Sequence, residues 1–366
     1  MTSSRQRVVF VLPSLMGGGA ERVIVILLQH LDRARFEPHL VLVSKAGPYL
    51  KELPEDVPVH DLGASRVRNA IPGLVRLLRS LKPDVVVPTF RELSSALLLL
   101  KRFLPPEARL AVRVDASVSV ELAQDVLHAG FWRWVYRHHF ARADKIICVS
   151  EYVCNDLAEH FGIPRAKMFV IYNPVDVERV RRLADGSENP FAGLAPHLVA
   201  VGRLVRVKGY DVLIDALALV RKTIPAQLTI LGEGPLEMDL KARSERLGLA
   251  GAIEFAGFQS NPYPYLKHAD LFLLSSRYEG LPLVVLEALA LGQHVVASDC
   301  PGGIREILEG ISGAWLVPHS NVPALAQGII SALQFRAKNT SSVDHLAGTL
   351  DKFRVGRILK QYEDLL

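Results

Sequence analysis

The chain has 366 residues, and a composition of 49% hydrophobic and 22% charged residues excludes an intrinsically disordered protein. No window approaches the about 18 apolar residues of a membrane-spanning helix, and the first apolar run is too short for a signal peptide, so we expect a cytoplasmic protein, free or peripheral on the cytoplasmic membrane face. The net charge of +5 is compatible with nucleic acid, anionic lipid or phosphorylated small molecules as partners.

Short β-branched runs alternate with longer helical stretches along the chain, which predicts parallel sheets with right-handed crossovers. The predicted strands form two series: residues 7–12, 39–43, 84–88, 109–114, 145–149 and 168–171, then residues 197–201, 227–231, 252–256, 270–274, 294–297 and 314–317. Several are continuously apolar, as strands buried on both faces are. The fold class is therefore α/β, with two doubly wound, Rossmann-like domains that face each other across a cleft.

A polar segment containing glycine and proline separates the two series. We predict a first domain over residues 1–175, a linker over 176–196, a second domain over 197–349, and an amphipathic helix over 350–366 that packs back on the first domain. Because doubly wound domains bind ligands at the carboxyl ends of their strands, the loops after the strands are the places to look for a site.

Three glycines, Gly17 to Gly19, separate the first strand from an apolar helical run. Their backbone N–H groups can meet a phosphate or a sugar at the start of the helix, which makes Gly17 and Gly18 candidate donor-binding residues. The pattern is neither a GxGxxG fingerprint nor a Walker loop. A plain tight turn is the alternative.

The stretch FWRWVYRHHFARADK at residues 131–145 mixes aromatic and basic residues. Read as a helix, it has one stripe that either packs on the sheet or lies on a membrane surface, formed by Trp132, Val135, Tyr136, His139, Phe140 and Ala143. The neighbours His138 and His139 cannot both face one site, so this stretch does not support a metal site.

The first strand of the second series is followed by GRLVRVKG, residues 202–209. Arg203 and Lys208 can clamp a diphosphate there, because arginine offers a fork of donors and lysine a point charge. Such a clamp stabilises the charge of a departing nucleoside diphosphate without a metal ion, and we expect neither a metal nor a cofactor. A solvated basic loop is the alternative, and we assign Arg206 to it.

Glycines also close the next two strands, in GEGP at residues 232–235 and in Gly257-Phe258. The predicted topology places both at the same edge of the sheet. Gly232 and Phe258 are therefore candidates for the donor site, with Phe258 near a base. Glycine punctuation of ordinary turns is the alternative for each.

The longest motif is SSRYEGLP at residues 275–282, which runs on into a helical stretch. Backbone N–H groups after Glu279 converge at a helix N-terminus, which favours negatively charged groups. Glu279 and Glu287 can both face that site, where a carboxylate accepts hydrogen bonds from pairs of hydroxyls. The motif adds a set of predicted donor-binding residues: Gly280, Leu281, Pro282, Leu283 and Glu287.

These motifs resemble those of glycosyltransferase family 4, a group of retaining enzymes with the two-domain GT-B fold. The E-x7-E element of the family matches Glu279 to Glu287, its G-R-L…K-G element matches residues 202–209, and its G-x-G-P element matches residues 232–235. The resemblance covers nearly the whole chain and is most specific in the second domain.

The resemblance implies that Glu279 contacts the donor sugar, Glu287 the ribose, and Arg203 and Lys208 the diphosphate. It implies hexosyl transfer from a nucleoside-diphosphate sugar, with uridine favoured as the base, by same-face attack assisted by the leaving diphosphate. The openings GGGAER and SRYEGLP look most similar to bacterial enzymes that build polyprenyl-diphosphate-linked oligosaccharides and surface polysaccharides. The expected acceptor is therefore a lipid-linked saccharide at a membrane surface, and nucleic acid is not expected as a partner.

One stretch departs from the family pattern. Many members carry a histidine near the donor sugar in a first-domain loop, where this chain reads VRVD at residues 112–115. Arg113 or Asp115 is the candidate to replace it on the acceptor side. A transferase with a soluble acceptor and a non-catalytic nucleotide-sugar-binding protein are the alternative functions.

Overall fold

A computed structural model describes residues 5–124, 127–338 and 349–366. The chain divides into two compact units, the first comprising Met1–Pro174 with Val355–Leu366, and the second comprising Val175–Arg354. Each unit holds one parallel sheet flanked by helices. The predicted fold class, two doubly wound α/β units, is confirmed.

Seven strands form the sheet of the first unit: β1 (Gln6–Leu12), β2 (Phe36–Leu42), β3 (Val59–Asp61), β4 (Val85–Pro88), β5 (Arg109–Val114), β6 (Lys145–Cys148) and β7 (Met168–Val170). Their order across the sheet is β3-β2-β1-β4-β5-β6-β7. The helices between them are α1 (Gly19–His30), α2 (Val67–Leu81), α3 (Arg91–Leu99), α4 (Val118–Gln124), α5 (Ala129–His139) and α6 (Glu151–Phe161). Central strands such as β1 and β4 are buried because helices cover both sheet faces.

Six strands form the sheet of the second unit: β8 (His197–Val201), β9 (Gln227–Leu231), β10 (Ile253–Gly257), β11 (Leu271–Leu274), β12 (Val295–Asp299) and β13 (Ala314–Pro318). Their order is β10-β9-β8-β11-β12-β13. The helices of this unit are α7 (Val177–Ala184), α8 (Tyr210–Val220), α9 (Glu237–Arg246), α10 (Tyr263–His268), α11 (Leu283–Ala290), α12 (Ile304–Leu308) and α13 (Val322–Lys338).

The chain ends in the first unit with α14 (Val355–Leu365). This helix contacts α1, and its buried Tyr362 accepts a hydrogen bond at Oη from Arg113 Nε at 3.1 Å. Gln6 Nε2 donates to the carbonyl of Leu366 at 2.7 Å, which joins the end of the helix to β1. The preceding 3-10 turn, Asp351–Phe353, belongs to the second unit.

The segment predicted as a linker, residues 176–196, begins with the helix α7. The Asp176 side chain caps this helix by accepting from the N–H of Arg179 at 2.9 Å, and Val177 and Val180 are buried. Because α7 packs on α10 and α11, the second unit starts earlier than predicted. The polar composition of the segment hides this short amphipathic helix.

The strand β3 was missing from the prediction. It has three residues, none of them buried, and pairs on one side only, with β2. An edge strand this short carries no apolar run, so the pattern that predicts the other strands does not reach it.

All three cysteines are free and buried, Cys148 and Cys154 in the first unit and Cys300 in the second. Burial raises the pKa of the Cys300 thiol above its usual range. Within the described ranges, no helix has both the length and the apolar character needed to cross a membrane.

Leu217→Ala should destabilise the second unit. Leu217 is fully buried in the core formed by α8, the sheet and α13, and such a truncation costs about 2–5 kcal/mol of unfolding free energy. Met238→Ala on α9 is the control, since Met238 is 79% exposed and its loss should stay within about 0.5 kcal/mol. Urea unfolding measures both changes, and equal effects of the two substitutions would contradict the assigned core.

Candidate functional site

The predicted motifs of the second unit lie at one edge of its sheet. They follow β8, β9, β10 and β11, which are neighbours in the sheet order. The carboxyl ends of parallel strands meet at the same edge. The loops after these strands are therefore adjacent in the folded unit.

Backbone packs directly on backbone where these loops meet. A β-carbon on Gly209, which has φ +64°, would lie 2.1 Å from the carbonyl oxygen of Ser275. A β-carbon on Gly302, with φ +130°, would lie 2.2 Å from the carbonyl oxygen of Glu279. Only glycine fits at either position, so the loop that carries Glu279 is clamped between two glycine-containing loops.

Lys208 and Glu279 form an ion pair across two of these loops. Lys208 Nζ donates to Glu279 Oε1 at 2.7 Å, and Ser276 Oγ donates to the same oxygen at 2.6 Å. Both charged side chains are largely buried, with 24% and 11% exposure. The ammonium keeps two further N–H donors, and no described residue donates to Glu279 Oε2, so both groups have capacity left for a ligand.

Arg203 lies exposed directly after β8, in the loop that also carries Lys208. Its backbone carbonyl accepts from the N–H of Val205 at 2.8 Å, but its guanidinium has no hydrogen bond or ion pair with the described residues. Arg277 differs, because its two terminal nitrogens bind the carboxylate of Asp211 at 3.0 and 2.7 Å. Burial alone would raise the pKa of Asp211, but the hydrogen bond and charge of Arg277 lower it below the usual range. The guanidinium of Arg203 is thus available to an anion, and that of Arg277 is engaged.

Tyr210, which was not among the predicted site residues, holds the loop of Arg203 and Lys208 through a hydrogen bond. Its hydroxyl donates to the carbonyl oxygen of Gly202 at 3.0 Å. Burial raises the pKa of Tyr210 far above the usual value, so the phenol stays a donor. In the sequence, Tyr210 is a tyrosine at the start of a predicted helix. That position does not distinguish a hydrogen bond to the Gly202 carbonyl from ordinary core packing.

The SSRYEGLP motif ends where the helix α11 starts. Pro282 is the N-cap of α11, which begins at Leu283. The side chains of Leu281, Pro282 and Leu283 are buried, so only their backbone groups are suited to meet a ligand. Gly280 is also buried, and its carbonyl accepts from the N–H of Gly303 at 2.7 Å.

Glu287 lies half-buried on α11, where Tyr263 of α10 donates to its Oε1 at 2.9 Å. Tyr263 was not among the predicted site residues. Nothing in the sequence around Tyr263 indicates that its phenol reaches a carboxylate on the following helix, α11. The bond orients the Glu287 carboxylate on α11, the helix that follows the loop of Glu279.

Gly232 and Phe258 end neighbouring strands at this edge. The N–H of Gly232 donates to the carbonyl of Gly257 at 2.7 Å, and that of Phe258 donates to Glu233 Oε1 at 3.3 Å. Both residues are thus placed beside the site, with the Phe258 ring half-buried. Their contacts with a nucleotide stay predictions.

In the first unit, the glycine loop is closed by its own helix. Glu21 Oε2 accepts from the N–H groups of Gly17 and Gly18, each at 2.8 Å, as a capping carboxylate at the start of α1. The expectation that these two N–H groups are open to a phosphate or sugar is corrected, because the buried Glu21 already satisfies them.

Arg113 lies in the interior of the first unit, so the structure gives no support to its prediction as an acceptor-side residue. Its side chain is fully buried, where Nη2 donates to Asn173 Oδ1 at 2.6 Å and Nε to Tyr362. Its Nη1 donates to Asp115 Oδ1. From the sequence alone, an arginine near the end of a buried strand is expected at the surface. Here the helix α14 covers Arg113.

Asp115 is the partly exposed member of this network, with 20% of its side chain accessible. Its Oδ2 is buried and has no hydrogen-bond partner, and neither have the hydroxyls of Thr89 and Ser117. Thr89 follows β4, and Asp115 and Ser117 follow the neighbouring β5. An unpaired buried polar atom costs about 1–3 kcal/mol, and these three lie at the carboxyl ends of two neighbouring strands. Thr89 and Ser117 were missed, although polar residues straight after apolar strands were a usable signal.

Metal ligands were not predicted, and the described residues contain no group of three or more His, Cys, Asp or Glu side chains placed to hold a metal ion. Whether the reaction needs a metal or cofactor stays a prediction.

Known proteins resemble this chain in both units. The family described as Glycosyltransferase Family 4 matches residues 17–179, and the family described as Glycosyl transferases group 1 matches residues 195–334. The chain is 28% identical to the N-acetylgalactosamine-N,N'-diacetylbacillosaminyl-diphospho-undecaprenol 4-alpha-N-acetylgalactosaminyltransferase of Campylobacter jejuni, over 95% of this chain and 97% of that protein. It is 32% identical to the putative colanic acid biosynthesis glycosyltransferase WcaL of Escherichia coli, over 54% of this chain and 50% of that one.

Among solved structures, HepE of Anabaena in complex with UDP-glucose has a TM-score of 0.78 at 18% identity, with 99% of both chains covered. Sucrose-phosphate synthase of Thermosynechococcus elongatus has a TM-score of 0.82 at 17% identity, covering 99% of this chain and 98% of that one. At these identities the likeness establishes the fold alone.

Gly302→Ala should disturb the loop of Glu279 much more than Gly310→Ala. Both glycines have positive φ, but a β-carbon at Gly310 meets nothing within 4 Å, whereas one at Gly302 collides with the Glu279 carbonyl. We expect Gly310→Ala to cost about 1–2 kcal/mol from its backbone conformation, and Gly302→Ala about 1–3 kcal/mol more from overpacking. Thermal unfolding of the two variants measures the difference, and equal losses would refute the clamp.

Proposed function

This chain belongs to glycosyltransferase family 4 and is a hexosyltransferase that uses a sugar-nucleotide donor, and on that premise we propose the following reaction. A hexosyl or N-acetylhexosaminyl group passes from a UDP-sugar to a hydroxyl of a polyprenyl-diphosphate-linked or surface-polysaccharide saccharide, with retention of the anomeric configuration. The enzyme assignment replaces the alternative of a non-catalytic binding protein.

The observation that carries the donor proposal is the Lys208–Glu279 ion pair with Arg203 on the same loop. The ammonium and the guanidinium together offer a cationic clamp for the two phosphates, and the free Oε2 of Glu279 accepts from a sugar hydroxyl. Lys208 Nζ lies 2.7 Å from Glu279 Oε1, so the group that binds the diphosphate of the donor is next to the group that binds its sugar.

The remaining donor groups follow from their positions. Glu287, oriented by Tyr263, accepts from the ribose hydroxyls, and Phe258 lies near the uracil. The N-terminus of α11 adds a partial positive charge beside the phosphates. The UDP and UDP-glucose complexes of HepE support uridine as the base in this chain as well.

In the proposed reaction, the bond from the anomeric carbon to the diphosphate oxygen breaks, and the acceptor oxygen bonds to the same face of that carbon. The acceptor hydroxyl proton passes to the departing diphosphate. Arg203 and Lys208 stabilise the charge that develops on this leaving group, and the chain orients donor and acceptor. We propose no metal ion and no cofactor for these steps.

The acceptor proposal rests on the Campylobacter relative, whose name contains a diphospho-undecaprenol-linked saccharide. Asp115 takes the acceptor-side role, since Arg113 fixes one of its oxygens and leaves the other unpaired. A cytoplasmic enzyme at the membrane face, without nucleic acid as a partner, fits such an acceptor.

Glu279→Ala should lower turnover by about 10²–10³-fold, as the loss of one preorganised electrostatic contact does. Release of UDP from a panel of UDP-hexoses and UDP-N-acetylhexosamines measures it, with the undecaprenyl-diphosphate-linked saccharide as acceptor. Glu309→Ala, an exposed carboxylate after α12, is the matched control and should keep full activity. Near wild-type turnover of the Glu279 variant would rule out this donor site.

Asp115→Asn should raise the KM for the acceptor or lower kcat by about tenfold or more, because a charged acceptor of hydrogen bonds is lost, while UDP affinity stays unchanged. Tyr362→Phe is the companion variant. It removes only the hydrogen bond from Arg113, so it should cost about 1 kcal/mol of stability and leave KM nearly intact. Initial rates against acceptor concentration and calorimetric UDP titrations separate the two effects. A variant Asp115→Asn with wild-type kinetics would refute the assignment.

A further inference from the structure

The helix α5 has two faces, and only one of them packs in the protein. Val135, Tyr136 and His139 are buried, as the core reading of this stretch requires. Outside this buried stripe, Phe131 is 51% and Trp134 48% exposed. The predicted stripe therefore packs in the core, whereas a second row of aromatic residues on the same helix is exposed.

The exposed aromatic residues follow helical spacing. Positions three and four apart lie next to each other on a helix, and the ring centroids confirm this, at 6.3 Å between Phe131 and Trp134 and 5.7 Å between Trp134 and His138. Leu127, just before the helix, is 85% exposed. We call Phe131, Trp134 and His138, together with the neighbouring Arg133 and Arg137, the α5 face.

Arg133 and Arg137 give the α5 face its charge. They lie one turn apart, both are exposed, and neither pairs with a carboxylate among the described residues. The sequence has no Asp or Glu from residue 127 to residue 143. The acidic residues that flank this stretch in the sequence are Asp125 and Asp144, and Asp144 is held by Lys101 Nζ at 2.7 and 2.8 Å.

We propose that the α5 face binds the surface of an anionic lipid bilayer, with the rings of Phe131 and Trp134 in the interfacial region and the two arginines at the headgroups. Aromatic residues on one side of a helix and cations beside them are what an interfacial helix needs. This inference rests on the proposed function in one respect, namely that a polyprenyl-linked acceptor is embedded in such a surface.

The charge decides against the other occupants. In a two-fold dimer through this face, the arginines of both copies would meet without carboxylates to balance them. Single-stranded nucleic acid is bound in grooves that track its backbone, whereas the α5 face is a convex helix surface. A flat anionic surface satisfies both the aromatic line and the unpaired arginines.

Sedimentation of the full chain with vesicles tests the inference. We expect binding to vesicles of phosphatidylcholine with phosphatidylglycerol, none to phosphatidylcholine alone, and release by salt. Arg133→Glu with Arg137→Glu should weaken partitioning by at least about tenfold, since each cation near an anionic surface contributes about 1 kcal/mol. Phe131→Ser with Trp134→Ser should weaken it similarly, and Trp134→Phe should remove most of the fluorescence blue shift seen on binding.

Matched controls come from the second unit. Lys222→Glu with Arg246→Glu reverses two exposed cations, and Met238→Ser with Leu247→Ser removes two exposed apolar side chains; both should bind vesicles like the unmodified chain. Equal binding by the α5 variants, no binding by the unmodified chain, a dimer in size-exclusion chromatography that these variants abolish, or binding to oligonucleotides in place of vesicles would each overturn the inference.

UDP titration of the same proteins keeps this result apart from the donor proposal. The α5 variants should bind UDP normally, because α5 belongs to the first unit and the clamp to the second. A chain that binds UDP but no vesicles refutes the α5 face alone, and one that binds vesicles but no UDP refutes the donor site alone.

Discussion

The ion pair between Lys208 Nζ and Glu279 Oε1 joins the two loops that carry the charged groups Arg203, Lys208 and Glu279 of the proposed donor site. Its partners come from the ends of β8 and β11, which are neighbours in the sheet. The pair keeps its 2.7 Å geometry because the loops around it touch through backbone, at Gly209 and Gly302. The positions of Lys208 and Glu279 thus depend on glycine at residues 209 and 302, since a β-carbon at either residue would push the loops apart.

Most of the architecture follows from patterns that one sequence reveals. Strands buried on both faces must be apolar throughout, so the runs of β1, β8 and β11 stand out against the helices around them. Loops after those strands must share an edge, which is why Arg203, Lys208 and Glu279 were predicted together. The edge strand β3 and the helix α7 escaped because neither has a long apolar run.

What the sequence did not reveal depends on which partner each side chain contacts in the folded chain. Glu21 satisfies the N–H groups of Gly17 and Gly18, and a glutamate four residues on reads equally well as a surface residue. Arg113 lies under α14, whose residues are about 250 positions later in the chain. Tyr263 reaches Glu287 from a separate helix. In each case the residue type was visible, but the partner that sets its role, local for Glu21 and distant for Arg113 and Tyr263, comes only with the folded structure.

The burial of every cysteine has a practical consequence. A thiol reacts as an exposed thiolate, so Cys148, Cys154 and Cys300 are shielded from alkylating reagents while their units stay closed. Because the first two belong to one unit and the third to the other, the order in which they become modified reports which unit opens first. The chain thus carries its own chemical reporters of local unfolding, and a label attached to a cysteine introduced on its surface would have little native background.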